Sequence, residues 1–347
     1  MKSIRFNQTM VAAALAFATL SAQALIALPP AFSALYVFGD SLSDSGNNAL
    51  VIGPDAAQVI TGNTYVPSQP YAAGAYTNGA TWVTTFAAGL GLPAAAAPSL
   101  SAVSGRGNFA YGGAKTVLDG NAPPPVPPGF PPSATTQLMG TGPQPYQFGY
   151  LTGLASVPAT ALYVIAIGGN DVRDLSVSVA SGLTSALAIP GLAAGYANAV
   201  GSMVDALQAK GAQNIVVWGT PNVGKTPAAL AGGSLFSGFA TNVSSSFNSA
   251  ISGRMAGEAG VTFFDVFAIT NNIIANPGTF GLTNVTDACG AVLGCNPSQY
   301  LFWDGIHPTS AGHALIASSM LAAVPEPSSM LMLAVGICGL VAWRRRT

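Results

Sequence analysis

Four short apolar runs stand out along the chain, and they predict the strands of a sheet. The runs cover residues 34–38, 161–167, 214–218 and 261–266, and a glycine borders each of them. Their length and their content of Val, Ile, Tyr and Phe are typical of buried strands. The run at 161–167 is apolar throughout, which indicates a central strand of a parallel sheet.

Longer segments between these runs carry helical patterns. Residues 81–90 and 236–256 are amphipathic, and residues 191–210 are rich in alanine. Strands that alternate with helices indicate βαβ units and a parallel sheet, so the pattern predicts an α/β fold class. Residues 121–144 interrupt the alternation with many prolines, and we expect neither regular helix nor central strand in them. We interpret them as a surface loop or lid.

The N-terminal segment predicts export. Lys2 and Arg5 precede an apolar stretch at residues 10–20, and Ala22 and Ala24 form an Ala-x-Ala pattern. This order is typical of a secretory signal peptide over residues 1–24. A membrane anchor is the alternative, but the apolar stretch is short for a span.

The C-terminal segment, residues 324–347, has three features in order: a Pro-Glu-Pro motif at 325–327, an apolar run at 330–343 and three arginines at 344–346. The positive charges favour the cytoplasmic face of a membrane. The segment resembles the PEP-CTERM sorting signal of Gram-negative bacteria. That resemblance implies an exosortase-type processing enzyme as a partner, transient anchoring in the inner membrane by 330–343, and a final place at the cell surface or in the extracellular matrix. A permanent tail anchor is the alternative.

The charge balance excludes one class of partner. The chain has 11 Lys and Arg, of which five lie in the two end segments, and 12 Asp and Glu. The remaining part, residues 25–323, is mildly acidic and offers no basic surface for nucleic acid. Its length of roughly 300 residues suits one large α/β domain or two small ones.

Polar residues directly follow two of the predicted strands. Asp40 and Ser41 follow the first run, and Asn170 and Asp171 follow the run at 161–167. Open α/β sheets bind ligands at the carboxyl ends of their strands. A serine there can be a nucleophile when a base reaches it, although a helix cap or a turn is the plainer interpretation of each pair.

Near the end of the domain, Asp304 and His307 stand three residues apart in a predicted turn. A histidine there can accept a proton from a serine while the aspartate orients the imidazole ring. The other histidine, His313, is expected to pack locally. A metal pair of His307 and His313 is the alternative, but no carboxylate cluster completes a ligand shell, and we predict no metal.

Four segments resemble, in order, the blocks of the GDSL (SGNH) hydrolase family: 38–47, 107–114, 168–171 and 300–313. The resemblance implies a flavodoxin-like three-layer α/β/α sandwich with a central parallel sheet of about five strands. It also implies roles for individual residues. Ser41 would be the nucleophile, His307 the base and Asp304 its partner. The amides of Ser41 and Gly113, with Gly112 as the alternative to Gly113, and the side chain of Asn170 would form the oxyanion hole. Asp40 and Asp171 would support them, and no cofactor would be required.

Two cysteines of the domain, Cys289 and Cys295, lie six residues apart in a loop rich in Gly, Asn and Pro. Export to an oxidising compartment predicts a disulfide between them.

Together these features predict a secreted serine ester hydrolase that acts on a lipid or an acylated saccharide. The chain would contact the membrane through its C-terminal apolar run before processing. Two alternatives stay open: a polysaccharide O-acetylesterase, and a non-catalytic protein of the surface or extracellular matrix.

Overall fold

A computed structural model describes residues 32–52, 74–122, 124–143 and 145–324 of the chain. The predicted signal peptide and the sorting segment after residue 324 lie outside the described residues.

The central sheet consists of four parallel strands in the order β1-β2-β3-β4. Its strands are β1 (Leu35–Gly39), β2 (Leu162–Ala166), β3 (Asn214–Trp218) and β4 (Val261–Phe264). They are aligned in register, so that Val164 pairs with Val37 on one side and with Val216 on the other. The four apolar runs of the sequence therefore form the four strands.

Within the described residues the sheet has four regular strands rather than about five, but a further segment lies along the outer edge of β1. Val37 donates its N–H to Gly107 O at 2.9 Å, and Phe109 donates its N–H to Val37 O at 2.8 Å. Gly107 passes so close to β1 that a Cβ atom there would lie 1.9 Å from Leu35 O. The segment around Gly107 therefore lies where a fifth strand would lie. It bonds to β1 over only a few residues and does not form a regular strand.

Helices cover both faces of the sheet and make it the middle of three layers. They are α1 (Asn47–Ile52), α2 (Trp82–Gly89), α3 (Ala134–Met139), α4 (Gly169–Ala180), α5 (Ile189–Ala209), α6 (Pro227–Ala231), α7 (Gly233–Met255), α8 (Val266–Ala275) and α9 (Ser310–Ala323). On one face α4, α5 and α7 pack on Tyr163 and Ile165 of β2. On the other face α2 and α9 pack on Leu162 and Val164. Both faces of β2 are thus buried, which explains its unbroken apolar sequence.

Helix α5 belongs to this core. The stretch Ala186–Ala209 is, by length and composition alone, apolar enough to cross a membrane. Its residues Tyr196, Val200 and Met203 are buried, however, in the same cluster as residues of α7. The helix therefore has the packing of a core helix.

The proline-rich segment differs from the prediction because α3 lies within it. The last proline before α3 is Pro132, and Ser133 caps the helix by accepting the N–H of Thr136 at 3.2 Å. Proline blocks a helix only locally, so the proline-free stretch at residues 133–142 is able to form one.

A second, two-stranded sheet was not predicted. It pairs β5 (Asn284–Ala288) with β6 (Tyr300–Phe302), and a disulfide joins Cys289 to Cys295 between them. The strand β5 is mostly polar and only Ala288 in it is buried, so the sequence contains no apolar run that would reveal it.

The side chain of Gln137 on α3 makes hydrogen bonds to Gly39 of β1 like those that the backbone of a neighbouring strand would make. It accepts the N–H of Gly39 at 2.8 Å and donates to Gly39 O at 2.9 Å, in a buried position. The substitution Gln137→Leu removes the partners of the Gly39 N–H and of Pro132 O, whereas Gly39 O keeps the N–H of Tyr111 at 3.1 Å. Because each buried unpaired group costs about 1–3 kcal/mol, we expect the free energy of unfolding in urea to fall by about 3 kcal/mol.

The control is Gln208→Leu, which removes one surface hydrogen bond to Ala259 O. It should change the free energy of unfolding by less than about 0.5 kcal/mol. Equal effects of the two substitutions would contradict the role assigned to Gln137.

Candidate active site

Ser41 lies in the turn that follows β1, at the carboxyl end of the sheet. The N–H groups of Ser43 and Asp44 donate to Asp40 O, and the N–H of Leu42 donates to Asp40 Oδ1 at 3.0 Å. These bonds curl the chain back as soon as the strand ends. The Ser41 side chain is thereby held at the strand end, with 8% of the residue exposed.

The loop after β6 brings His307 to this serine. Its Nε2 lies 2.7 Å from Ser41 Oγ, and its Nδ1 lies 2.6 Å from Asp304 Oδ2. A carboxylate can only accept, so Nδ1 carries the proton and Nε2 is free to accept from the serine hydroxyl. The three side chains form a continuous series of hydrogen bonds. It joins Ser41 to His307, which lies 266 positions later in the sequence.

Asp304 also shapes the turn in which it lies. Its Oδ1 accepts the N–H groups of Ile306 at 2.7 Å and His307 at 2.6 Å. Asp304 is fully buried and His307 is 2% exposed. The same carboxylate therefore fixes the backbone of the histidine with one oxygen and its ring with the other.

His313 takes no part in this series of hydrogen bonds. It is buried on α9, and burial lowers its pKa to about 3, so the ring stays neutral at ordinary pH. Both ring nitrogens of His307 are already engaged by Ser41 and Asp304. Within the described parts of the chain, no group of three or more His, Cys, Asp or Glu is arranged to hold a metal ion.

The residues predicted to form an oxyanion hole lie on three segments: the turn after β1, the loop that contains Gly113 and the first turn of α4. Asn170 lies in the first turn of α4, lines the same crevice as Ser41 and donates its side-chain N–H to Ala114 O at 2.9 Å. The N–H of Gly112 is engaged by Asp44 Oδ2 at 2.9 Å. Gly113, with φ of 80°, has an N–H that bonds to none of the described residues. Of the two glycines, Gly113 is thus the one with an amide available.

Asp40 and Asp171, the two predicted supporting residues, have different surroundings. Asp40 lines the crevice, and burial raises its pKa to about 6. Asp171 accepts from the N–H of Thr116 at 3.1 Å and from its hydroxyl at 3.0 Å, and burial raises its pKa as well. It ties α4 to the loop that follows Gly113.

Comparison with known families decides what kind of protein carries this arrangement. The chain matches the family described as GDSL-like lipase/acylhydrolase over residues 35–320. The chain belongs to the GDSL-like lipase/acylhydrolase family. Residues 323–346 match the PEP-CTERM protein-sorting motif, which indicates export through exosortase sorting.

Relatives of the family occur in bacteria and plants. Esterase EstA of Pseudomonas aeruginosa is 30% identical over 365 residues, which cover 95% of this chain and 52% of that protein. An uncharacterized protein in the trpE-trpG intergenic region of Pseudomonas putida is 28% identical, over 92% of this chain and 53% of that protein. GDSL esterase/lipase At1g73610 of Arabidopsis thaliana is 26% identical, over 83% of this chain and 88% of that protein. The chain spans about half the length of the two Pseudomonas relatives.

Among solved structures, LAE5, an alpha/beta hydrolase enzyme from the metagenome of Lake Arreo, Spain, is 17% identical with a TM-score of 0.43, over 85% of this chain and 97% of that one. Neither this identity nor this TM-score is high enough to indicate a shared function.

Several buried residues of this GDSL family member support the site but received no role in the sequence analysis. Asp44 accepts the N–H groups of Gly46 and Asn47 as well as that of Gly112. Asn47 donates to Asn108 O and Ala110 O, and Asn108 donates to Ser43 O at 2.6 Å. Their signal in the sequence is three polar residues, Asp44, Asn47 and Asn108, inside the family-like segments.

The crevice beside Ser41 is small and mainly apolar, with a volume of about 70 Å³. Its apolar lining consists of Leu42, Pro221, Val223, Val266, Phe302, Ile306, Pro308 and Ile316. Besides Asp40 and the site residues, the polar side chains of its wall bond to other parts of the protein, and Arg173 pairs with Asp174 at 2.8 Å. Asn222 bonds to Asn271 and Thr241, while the hydroxyls of Thr226 and Thr270 donate to backbone carbonyls. The wall therefore presents mostly carbon to a ligand.

The raised pKa of Asp40 predicts a stability that depends on pH. The folded protein holds this proton more tightly than the unfolded chain, in which the pKa is about 3.8, so stability falls as pH rises from about 4 to about 6. The difference between these two pKa values corresponds to about 3 kcal/mol. We expect Asp40→Asn to reduce that fall, measured as the free energy of unfolding in urea at each pH.

Burial also raises the pKa of Asp44 to about 6. The Asp40→Asn variant therefore keeps part of the pH dependence of stability. The exposed carboxylate of Asp287 provides the control. If Asp287→Asn flattens the pH dependence as much as Asp40→Asn does, burial of Asp40 is not its cause.

Proposed function

We propose that the protein is an exported serine ester hydrolase in which Ser41, His307 and Asp304 act together. The observation that carries this proposal is the line of hydrogen bonds from Ser41 Oγ through His307 to Asp304, at 2.7 and 2.6 Å. Membership of a lipase/acylhydrolase family supports the same reaction. The chemistry is acyl transfer from an ester to water.

In the first step Ser41 Oγ attacks the ester carbonyl carbon while its proton passes to His307 Nε2. Asp304 stabilises the imidazolium that forms and keeps the ring oriented. The amides of Ser41 and Gly113 and the side chain of Asn170 donate to the oxyanion. The ester C–O bond then breaks, and His307 gives its proton to the leaving alcohol. Water repeats the sequence on the acyl-enzyme and releases the acid.

The domain limits are part of the proposal. Residues 1–24 would be a signal peptide, 25–323 the hydrolase domain and 324–347 the sorting segment. The family match over 35–320 and the sorting match over 323–346 support these limits. An exosortase-type enzyme would process the tail, and the mature protein would reside at the cell surface or in the extracellular matrix.

The walls of the crevice favour an apolar acyl group over a sugar. A saccharide presents several hydroxyls, each of which loses a hydrogen bond to water on binding and needs a replacement. The wall side chains of Asn222, Thr226 and Thr270 are already bonded within the protein. This argues against the polysaccharide O-acetylesterase, and three aligned, buried polar side chains argue against a purely structural protein.

The first test is the nucleophile itself. We expect Ser41→Ala to lower kcat/KM for p-nitrophenyl butyrate by about 10³-fold or more, and Asp304→Asn to lower it by about 10³-fold, because the acid, base and nucleophile act as one unit. The control is Ser181→Ala, at an exposed position at the end of α4, which should leave the rate unchanged. Full activity in Ser41→Ala would refute the proposal.

The second test is the length of the acyl chain. Each methylene buried against the apolar wall contributes about 0.8 kcal/mol, so kcat/KM should rise about fourfold per methylene from acetate to butyrate. A series of p-nitrophenyl esters measures this directly, beside acetylated xylan as a saccharide substrate. A preference for acetate, with rapid deacetylation of xylan, would instead favour the O-acetylesterase.

A further inference from the structure

The two ends of the sheet carry different parts of this protein. At the carboxyl ends of the strands lie Ser41 after β1, Asn170 after β2 and Pro221 after β3, all lining the crevice. At the opposite end, the first residues of the strands surround a second cavity. Phe32 and Val324, the outermost described residues, line that cavity together with Leu162, Ile215 and Val261. The described chain therefore starts and stops on the face opposite the crevice.

This arrangement is fixed by contacts within the domain. Ser33 donates its N–H to Thr160 O at 3.0 Å, just before β2. Val324 is 6% exposed, packs in the core cluster of α2 and α9, and donates its N–H to Met320 O at 3.0 Å. Neither end is free to move round to the crevice.

Helix α9 connects the two ends of the sheet directly. It begins at Ser310, three residues after His307, and ends at Ala323, one residue before Val324. Its 14 residues rise about 1.5 Å each, so the base of the triad and the start of the sorting segment are about 21 Å apart along the axis.

The sorting segment leaves little chain between the domain and the membrane. Its apolar run begins at residue 330, six positions after Val324. Six residues span at most about 20 Å when fully extended. The radius of gyration of a domain of about 290 residues is about 19 Å. For the crevice to face the membrane, the whole connection would have to extend along the side of the domain.

We propose that, while the tail is inserted, the crevice faces away from the membrane that holds the protein. The enzyme then acts on esters in the surrounding space or on another surface, and not on the lipids of its own membrane. This inference rests on the proposed function and narrows the substrates that the same site can reach.

The test uses the full chain with its tail, reconstituted into phosphatidylcholine vesicles. A membrane-resident short-chain ester in the same vesicles reports hydrolysis of the protein's own membrane, and dissolved p-nitrophenyl butyrate reports the site itself. A second chain carries 30 Gly and Ser residues between Val324 and Pro325. Such a linker has a root-mean-square length of about 30 Å, enough to let the domain turn over. A third carries the same insert between Ala256 and Gly257, in an exposed loop, and keeps the short connection.

We expect the linker after Val324 to raise hydrolysis of the membrane-resident ester at least fivefold, with hydrolysis of the dissolved ester unchanged within twofold. The insert at Ala256 should change neither rate. All three chains must hydrolyse the membrane-resident ester equally in mixed micelles. If the linker leaves its hydrolysis in vesicles unchanged, whether that rate is fast or slow, the proposed orientation is wrong.

A readout without catalysis separates this inference from the proposed function. In a Cys338→Ser background, Gln213→Cys places a fluorophore at the amino end of the sheet and Leu118→Cys places one on the exposed loop after Gly113. Nitroxide lipids should quench the probe at 213 more strongly than the probe at 118. The reverse order would overturn the orientation. Loss of all ester hydrolysis with this quenching order would refute the proposed function alone.

Discussion

The buried carboxylate of Asp44 holds the two principal loops of the site together. It accepts the N–H of Asn47 at the start of α1 and the N–H of Gly112, so the loop with Ser41 and the loop with Gly113 share one acceptor. A carboxylate inside a protein is tolerated only when hydrogen bonds replace its water. Satisfying Asp44 therefore constrains both loops, and the position of Ser41 relative to its neighbours depends on that constraint.

The same logic extends outwards from this carboxylate. Asn47 and Asn108 bond to backbone groups of the facing loops, and Gln137 completes the hydrogen bonding of Gly39 at the end of β1. At the irregular edge of the sheet, each of these side chains makes hydrogen bonds to backbone groups that a neighbouring strand would otherwise make. The loops that carry Ser41 and Gly113 are thus held by buried amides and the carboxylate of Asp44, while the apolar layers beneath supply most of the stability.

In this parallel sheet the candidate active site and the outermost described residues lie at opposite ends of the strands. All strands end at one edge, where polar turns can meet, and all begin at the other, where the chain enters and leaves the domain. Helix α9 returns from the first edge to the second, since a helix in an α/β fold runs antiparallel to the strands. His307 and Val324 are consequently placed at its opposite ends. The proposed hydrolysis and the proposed anchoring would then use opposite edges of one sheet.

By itself the sequence predicted the four strands of the central sheet and the helices α2, α5 and α7, because apolar runs and helical patterns are local signals. The site residues were proposed from the family-like segments. It did not reveal β5, which is polar, or α3, which follows closely on prolines. Only the tertiary structure decided that Ser41 and His307 meet at 2.7 Å across 266 positions, and that Asp44 occupies the amide of Gly112 and leaves that of Gly113. Periodicity reports which residues are buried, but a hydrogen bond between distant loops depends on how the layers between them pack.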